Sequence, residues 1–253
     1  AQKAVAETGL GRVDHKITKN LLVATSTPGL EVLEPKAFTG DHGLTIHEWA
    51  PFGVIASVTP CTNVTETLLN NGISMIAGGN AVLFNVHPSA KSISAEFIRD
   101  ANGAIMAAGG PENLLSCIVN PTIESANAVM GHPGIRLVAV TGGPAVVKAA
   151  LNSGKRAVCA GPGNPPVVVC NTADVPQAAK DIVSGAGLDN NIICIVEKEI
   201  IAHAAIADQL KSEMERTGAY HVQGGDVDRL VNTILADPTH VNRDFVGKDA
   251  AVI

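Results

Sequence analysis

The sequence predicts an α/β protein whose main element is a parallel sheet covered on both faces, followed by a second, shorter α/β region. Three observations predict this. Short β-branched runs alternate with longer helical patterns through most of the chain, the rhythm of βαβ units. The bend from Ala160 to Pro166 holds two Gly and three Pro and divides that rhythm in two. A hydrophobic share of 46% with 17% charged residues suits a globular chain, and 253 residues suffice for one large or two modest cores.

In chain order, the opening segment carries Val5, Val13 and Ile17 among charged residues and reads as an amphipathic helix. Leu44 to Glu48 and Val54 to Val58 flank Pro51 and Gly53, as two strands meeting at a turn would. The βαβ rhythm then gives strands at Ala81 to Asn85, Leu114 to Val119 and Ile135 to Val140. Helices are expected at Ala90 to Ala108, Thr122 to Gly131 and Ala145 to Asn152. Beyond the bend, strands are expected near Pro166 to Cys170 and Glu199 to His203, with helices near Val175 to Ser184, Ile206 to Thr217 and Val227 to Ala236. The domain boundary is accordingly placed in the bend, with residues 1–164 as one domain and 165–253 as the first part of another. The pattern stops at Val252 and Ile253 with no capping element, and the chain lacks a starting Met; both lead us to expect a piece of a longer product.

A net charge of −6 argues against nucleic acid or an anionic membrane surface as the main partner. No apolar run is long enough to span a bilayer, and the N-terminus has no signal-peptide pattern. Cys61, Cys117, Cys159, Cys170 and Cys194 are odd in number and widely spread, which fits reduced thiols in a cytosolic setting. The eight histidines show no metal-ligand spacing with them, so no metal site is expected.

In open parallel sheets, ligands bind beyond the carboxyl ends of the strands. Thr141, Gly142, Gly143 and Pro144 lie at such an end; the glycines permit close backbone approach, and Pro144 can open a helix whose N-terminus faces a phosphate. An ordinary βα turn is the competing reading, because no Gly-X-Gly-X-X-Gly fingerprint occurs. Val86, His87, Pro88, Ser89 and Lys91 follow another strand, with Ser89 expected as an N-cap. Thr59, Pro60, Cys61, Thr62 and Asn63 follow a third, and Asn63 with Glu66 three residues later fits a capping pattern. An amide can cap through its oxygen and still donate through its nitrogen to a developing oxyanion.

Cys194 closes the run Asp189-Asn-Asn-Ile-Ile-Cys, 34 residues after Ala160. A thiol acting on a carbonyl needs exposure at a turn and nearby N–H donors. Taken alone, flanked by Ile192, Ile193, Ile195 and Val196, it reads more readily as a buried, inert thiol.

Several segments in order carry a resemblance: Gly9-Leu-Gly-Arg-Val, Ala50-Pro-Phe-Gly-Val-Ile, Asn85 to Lys91, Val140-Thr-Gly-Gly-Pro-Ala-Val-Val, Ala160 to Val169, Asp189-Asn-Asn-Ile-Ile-Cys and Phe245-Val-Gly-Lys-Asp-Ala-Ala. From about Gly9 to its end the chain resembles the CoA-acylating aldehyde dehydrogenases of propanediol and ethanolamine utilisation, within the aldehyde dehydrogenase superfamily. The resemblance implies a Rossmann-like NAD-binding domain followed by the N-terminal part of the catalytic domain. It implies Cys194 as nucleophile, with Asn63 and the Cys194 N–H as oxyanion donors. It puts the nucleotide against Thr59, Pro60, Cys61, Thr62 and Gly161, its adenosine end against Asn85, His87 and Pro88, and its pyrophosphate and nicotinamide near Thr141, Gly142 and Gly143.

Hydrolytic members carry Glu where this chain has Ala160, and a carboxylate there would activate water against a thioacyl enzyme. Its absence favours transfer to CoA, whose thiol already ionises appreciably. The family usually has Ser where Cys61 stands, and Pro where Val64 and Val86 stand. The expected reaction is a short aldehyde such as propanal or acetaldehyde, NAD and coenzyme A going to acyl-CoA and NADH. The alternatives are a hydrolytic NAD(P)-dependent aldehyde or semialdehyde dehydrogenase and a non-catalytic nucleotide-binding fragment. The resemblance further implies a homo-oligomer at full length, in the cytoplasm or inside a bacterial microcompartment, with the compartment's shell as a further partner.

Overall fold

A computed structural model describes residues 1–253. The chain divides into two compact units, residues 1–8 with 16–162 and residues 9–15 with 163–253. No helix is long and apolar enough to cross a membrane.

The first unit opens with helices α1 (Gln2–Thr8) and α2 (Val13–Ser26), the first turn of α2 belonging to the second unit. An antiparallel ribbon follows, β1 (Lys36–Gly40) on β2 (Gly43–His47), with Lys36 opposite His47. The sheet proper comprises β3 (Val54–Val58), β4 (Ala81–Asn85), β5 (Leu115–Cys117), β6 (Ile135–Thr141) and β7 (Arg156–Ala160). Its order is β5-β4-β3-β6-β7, and every pairing is parallel. The connecting helices are α3 (Val64–Ala77), α4 (Lys91–Ala107), α5 (Ile123–Gly131) and α6 (Pro144–Leu151).

Two apolar clusters account for the layering. Leu68 of α3, Ile93 and Ile98 of α4 and Ala4 of α1 gather with Val82, Phe84 and Leu115 of the sheet. Val129 and Met130 of α5 and Ala150 of α6 gather with Ala56, Val138 and Val140. A sheet covered on both faces needs strands apolar on both sides, and β3 is buried along four of its five residues.

Four expectations are corrected. Leu44 to Glu48 does not meet Val54 to Val58: β2 pairs with β1, a strand not foreseen, while β3 lies at the centre of the parallel sheet. The two have opposite environments, β2 exposed throughout and β3 buried. The opening segment is two helices, broken where Gly9 and Gly11 take φ of +70° and +74°. Within α2 the expected polarity is reversed: Lys16 and Lys19 are 1% and 8% exposed, whereas Ile17 and Leu21 are 49% and 61% exposed. Finally, Ser89 does not cap α4. A 3-10 turn at Pro88–Ala90 precedes that helix, and the Glu7 carboxylate accepts from the N–H groups of Ser92 and Ile93 at 2.8 and 2.7 Å, where a negative charge is favoured.

The second unit pairs β8 (Pro166–Val169) in parallel with β9 (Glu199–Ala202) through α7 (Val175–Gly187). Next come α8 (Ala207–Arg216), α9 (Gly225–Ile234) and the short pair β10 (Leu235–Asp237) and β11 (His240–Val241). Val169, Val175, Ala179, Ile182, Ile206 and Leu210 form its core.

Candidate active site

From β3 the chain crosses to β4 on one side, and from β6 it crosses to β7 on the other. Adjacent strands whose connections diverge open a crevice at their carboxyl ends, the place where doubly wound sheets bind ligands. The register brings four loops to this edge. Val58 lies opposite both Asn85 and Val140, and Thr141 lies opposite Ala160. The pairing runs on into the loops, since the Thr59 N–H donates to the Asn85 carbonyl at 3.3 Å and the Gly142 N–H to the Ala160 carbonyl at 3.0 Å. Thr59, Pro60, Cys61, Thr62, Asn63, Asn85, His87, Pro88, Thr141, Gly142, Gly143 and Gly161 thus all lie at or just beyond one edge.

Two buried lysines of α2 hold the loop after β3. Lys16 Nζ donates to the Thr62 carbonyl at 3.0 Å, and Lys19 Nζ donates to Asn63 Oδ1 at 2.5 Å. Asn63 occupies the N-cap position of α3 but makes no side-chain cap bond, a correction to the capping pattern read from Asn63 and Glu66. Glu66 instead stands 3.6 Å from the Lys19 ammonium, and its Oε1 has no hydrogen-bond partner. The reason is chemical: an ammonium has only donors, so it takes the amide oxygen that capping would have used. It thereby leaves Asn63 Nδ2, the donor end, turned away from Lys19.

Asn85 is buried, and its Oδ1 accepts from Ser125 Oγ at 2.6 Å, Ser125 itself belonging to a capping box with Thr122. His87 is exposed, with Nδ1 accepting from the Ser89 N–H at 3.2 Å and lying 2.8 Å from Ser89 Oγ. Gly143 precedes α6 with φ −69°, and a Cβ added there would meet nothing within 4 Å. The backbone therefore does not require glycine at 143, and the open space fits a group that needs close approach, such as a phosphate.

In the second unit, α7 leads into Asp189, Asn190 and Asn191, all left-handed with φ of 50°, 55° and 59°. Short polar side chains tolerate this region best, and here each is also tied down. Asp189 is fully buried; its Oδ1 accepts from the Arg12 N–H at 2.7 Å, and its N–H donates to His15 Nδ1 at 2.8 Å. Asn190 Nδ2 donates to the Gly247 carbonyl at 2.9 Å, and Asn191 Nδ2 to the Ala186 carbonyl at 2.6 Å. Cys194 follows on a turn, half-buried and outside any strand.

Two residues that the sequence did not single out shape the surroundings of this thiol. Lys198 Nζ donates to the Asn191 and Ile193 carbonyls at 2.7 and 3.2 Å and to the Asn191 side chain. Burial pulls the Lys198 ammonium below its ordinary range, while Cys194 and Glu197 oppose that shift. Gly163 lies so close that a Cβ there would run into the Cys194 carbonyl. Lys16 and Lys19 were likewise missed, although their spacing of three along a helix, which puts both on one face, was a readable signal.

The sequence profile of the aldehyde dehydrogenase family matches residues 17–234. The chain is 50% identical over its whole length to an acetylating acetaldehyde dehydrogenase of Salmonella typhimurium, of which it spans 56%. It is 42% identical to a CoA-propanoylating propanal dehydrogenase of Citrobacter freundii, spanning 55% of that protein. Among solved structures, it superposes with a TM-score of 0.95 and 48% identity on a propionaldehyde dehydrogenase from the Clostridium phytofermentans fucose-utilisation microcompartment, over 99% of this chain and 58% of that one. A Rhodopseudomonas palustris propionaldehyde dehydrogenase with bound CoA and an acylated cysteine gives a TM-score of 0.94 at 47% identity, over 98% and 57%. The chain thus spans somewhat more than half the length of these relatives, and with a family match across most of its residues it belongs to the aldehyde dehydrogenase family.

Proposed function

We propose that the protein of which this chain forms part oxidises a short aldehyde with NAD+ and passes the acyl group to coenzyme A. The observation that carries this is the half-buried Cys194 on a turn fixed by three anchored side chains, combined with Ala160 where hydrolytic relatives hold a carboxylate. The Cys194 thiolate attacks the aldehyde carbon, and the oxyanion that forms accepts from Asn63 Nδ2 and the Cys194 N–H. Lys19 supports that role by holding the amide the right way round. NAD+, when bound at the carboxyl edge of the sheet by Thr59, Pro60, Cys61, Thr62, Asn85, His87, Pro88, Thr141, Gly142, Gly143 and Gly161, supplies the two-electron acceptor. The thiol of CoA then displaces Cys194 from the thioacyl carbon, with no protein carboxylate at position 160 to activate water instead.

Acetaldehyde and propanal, the substrates named for the relatives, are the substrate class proposed. Exposed Phe38, Leu44, Ile46 and Trp49 on and beside the β1–β2 ribbon support self-association of the full-length protein. The microcompartment origin of a structural relative supports a place in the cytoplasm, within such a compartment.

The test is the NADH time course of the full-length enzyme. Without CoA, aldehyde and NAD+ should give a burst and then slow turnover as thioacyl Cys194 accumulates, and adding CoA should restore steady turnover. Fast, sustained formation of free acid without CoA would overturn the acylating reading in favour of hydrolysis, and no NADH under either condition would favour a non-catalytic nucleotide-binding role.

A further inference from the structure

Lys198 stands just ahead of β9, and its main chain is fixed there: its N–H donates to the Pro165 carbonyl at 3.0 Å, next to the pairing of Pro166 with Glu199. From that fixed point its side chain reaches back over the turn that carries Cys194. An ammonium has three N–H donors and no acceptor, and the turn supplies three oxygens, the Asn191 carbonyl at 2.7 Å, the Asn191 side-chain oxygen and the Ile193 carbonyl at 3.2 Å. All three donors are thereby used on the turn. The neighbouring carboxylate is directed elsewhere, because Glu197 lies against α7, so close to Gly185 that a Cβ there would run into its Oε2.

The Ile193 carbonyl is the other end of the peptide group whose N–H belongs to Cys194. That group is trans and planar, so its oxygen and its N–H point in opposite directions, and holding the oxygen fixes where the N–H is aimed. The buried Ile193 side chain holds the same peptide from its flank. The Cys194 N–H itself donates to no backbone carbonyl. An amide whose oxygen accepts from a charged group is also a stronger donor, since hydrogen bonds linked through one amide polarise each other. Lys19 acts on the Asn63 side-chain amide in the same way, by taking its oxygen.

From these contacts we infer that Lys198 is a positioning residue for acyl transfer: by gripping the Ile193 carbonyl it aims and polarises the Cys194 N–H for the oxyanion that forms on the aldehyde. The inference rests on the reading of Cys194 as nucleophile given above. With its donors used on the turn, Lys198 acts on that oxyanion through the Ile193–Cys194 peptide and not by touching the substrate.

The test compares two reactions of Cys194 in the full-length enzyme. The NADH burst without CoA passes through an oxyanion, whereas alkylation by iodoacetamide, followed by peptide mass spectrometry, displaces iodide at a saturated carbon and forms none. Both rates scale with the thiolate fraction, so their ratio reports the oxyanion donor. In Lys198→Met the ratio should fall about tenfold, short of the about 10²–10³ lost when an oxyanion donor is deleted outright, with the KM for NAD+ unchanged. Lys198→Arg, which keeps charged donors, should recover part of that loss. A merely structural role would slow both reactions together, and an unchanged ratio in Lys198→Met would overturn the inference. Should that variant not fold, Lys198→Gln decides in its place: it keeps only an uncharged donor on a shorter side chain, so a lowered ratio supports the inference and an unchanged one refutes it. A burst that is absent, or that survives Cys194→Ala, would overturn the nucleophile reading and this inference with it, whereas a Cys194-dependent burst with an unaltered ratio overturns the inference alone.

Discussion

Replacing Lys19 by Met keeps the length of a buried side chain and removes its charge. Lys19 and Glu66 side chains are only 10% and 6% exposed, with Nζ and Oε1 3.6 Å apart. At an effective dielectric of about 20 that separation corresponds to an attraction of about 4–5 kcal/mol. Glu66 Oε1 has no hydrogen bond to fall back on, and Oε2 accepts only a long bond from Thr65 Oγ1 at 3.5 Å, so Lys19→Met leaves a buried carboxylate without the Lys19 charge, and breaking such a pair costs about 3–5 kcal/mol. The double variant Lys19→Met/Glu66→Leu removes both charges and should recover most of that loss. The assay is urea denaturation followed by far-ultraviolet circular dichroism, with the four proteins forming a double-mutant cycle. A single-variant loss below about 1 kcal/mol, in the range of exposed pairs, or a double variant that merely sums two losses would refute the argument. In the full-length enzyme, Lys19→Met should also lower kcat while sparing the KM for NAD+, because the Asn63 amide loses the partner that orients it.

Cys194→Ala in the full-length protein should abolish aldehyde-dependent NADH formation while leaving NAD+ affinity intact by calorimetric titration; loss of activity in Cys61→Ala with Cys194→Ala harmless would reverse the assignment. Gly143→Val should weaken NAD+ binding with little change in unfolding midpoint, since the added side chain enters open space; unchanged affinity would move the nucleotide elsewhere. Gly163→Ala should destabilise the second unit by about 1–3 kcal/mol, the usual cost of overpacking, because its Cβ would run into the Cys194 carbonyl; an unchanged calorimetric transition would show that the loop yields freely.

The parallel sheet was legible because its inner strands are mostly apolar and largely buried. β4 was read at its observed bounds, and β6 to within a residue. β7 was not, because it is an edge strand whose residues alternate between exposed and half-buried, and its Arg156-Ala-Val-Cys-Ala run merges into the glycine-proline bend. The β1 partner of the ribbon was missed because Lys36-Ala-Phe-Thr-Gly holds one large apolar residue, whereas β2 has Leu44 and Ile46 in alternation. Loop positions at the sheet edge were legible from strand order alone. The groups that orient them were not, since Lys16 and Lys19 act on residues 46 and 44 positions away. α2 shows how composition misleads, because the side chains it buries are charged ones whose ammonium groups find partners inside.

The Asp189–Asn191 turn also dictates how freely this segment can change. Most residues placed at φ near +55° are strained by about 1–3 kcal/mol; glycine would relieve the strain but bring no side chain. Position 189 needs an acceptor for the Arg12 N–H, which Asp or Asn can provide. Positions 190 and 191 need donors toward the Gly247 and Ala186 carbonyls, which Asn can provide and Asp at neutral pH cannot. Saturation mutagenesis selected on folding should therefore return two amino acids at the first position and one at each of the next two, so that the approach to Cys194 has almost no room for sequence drift.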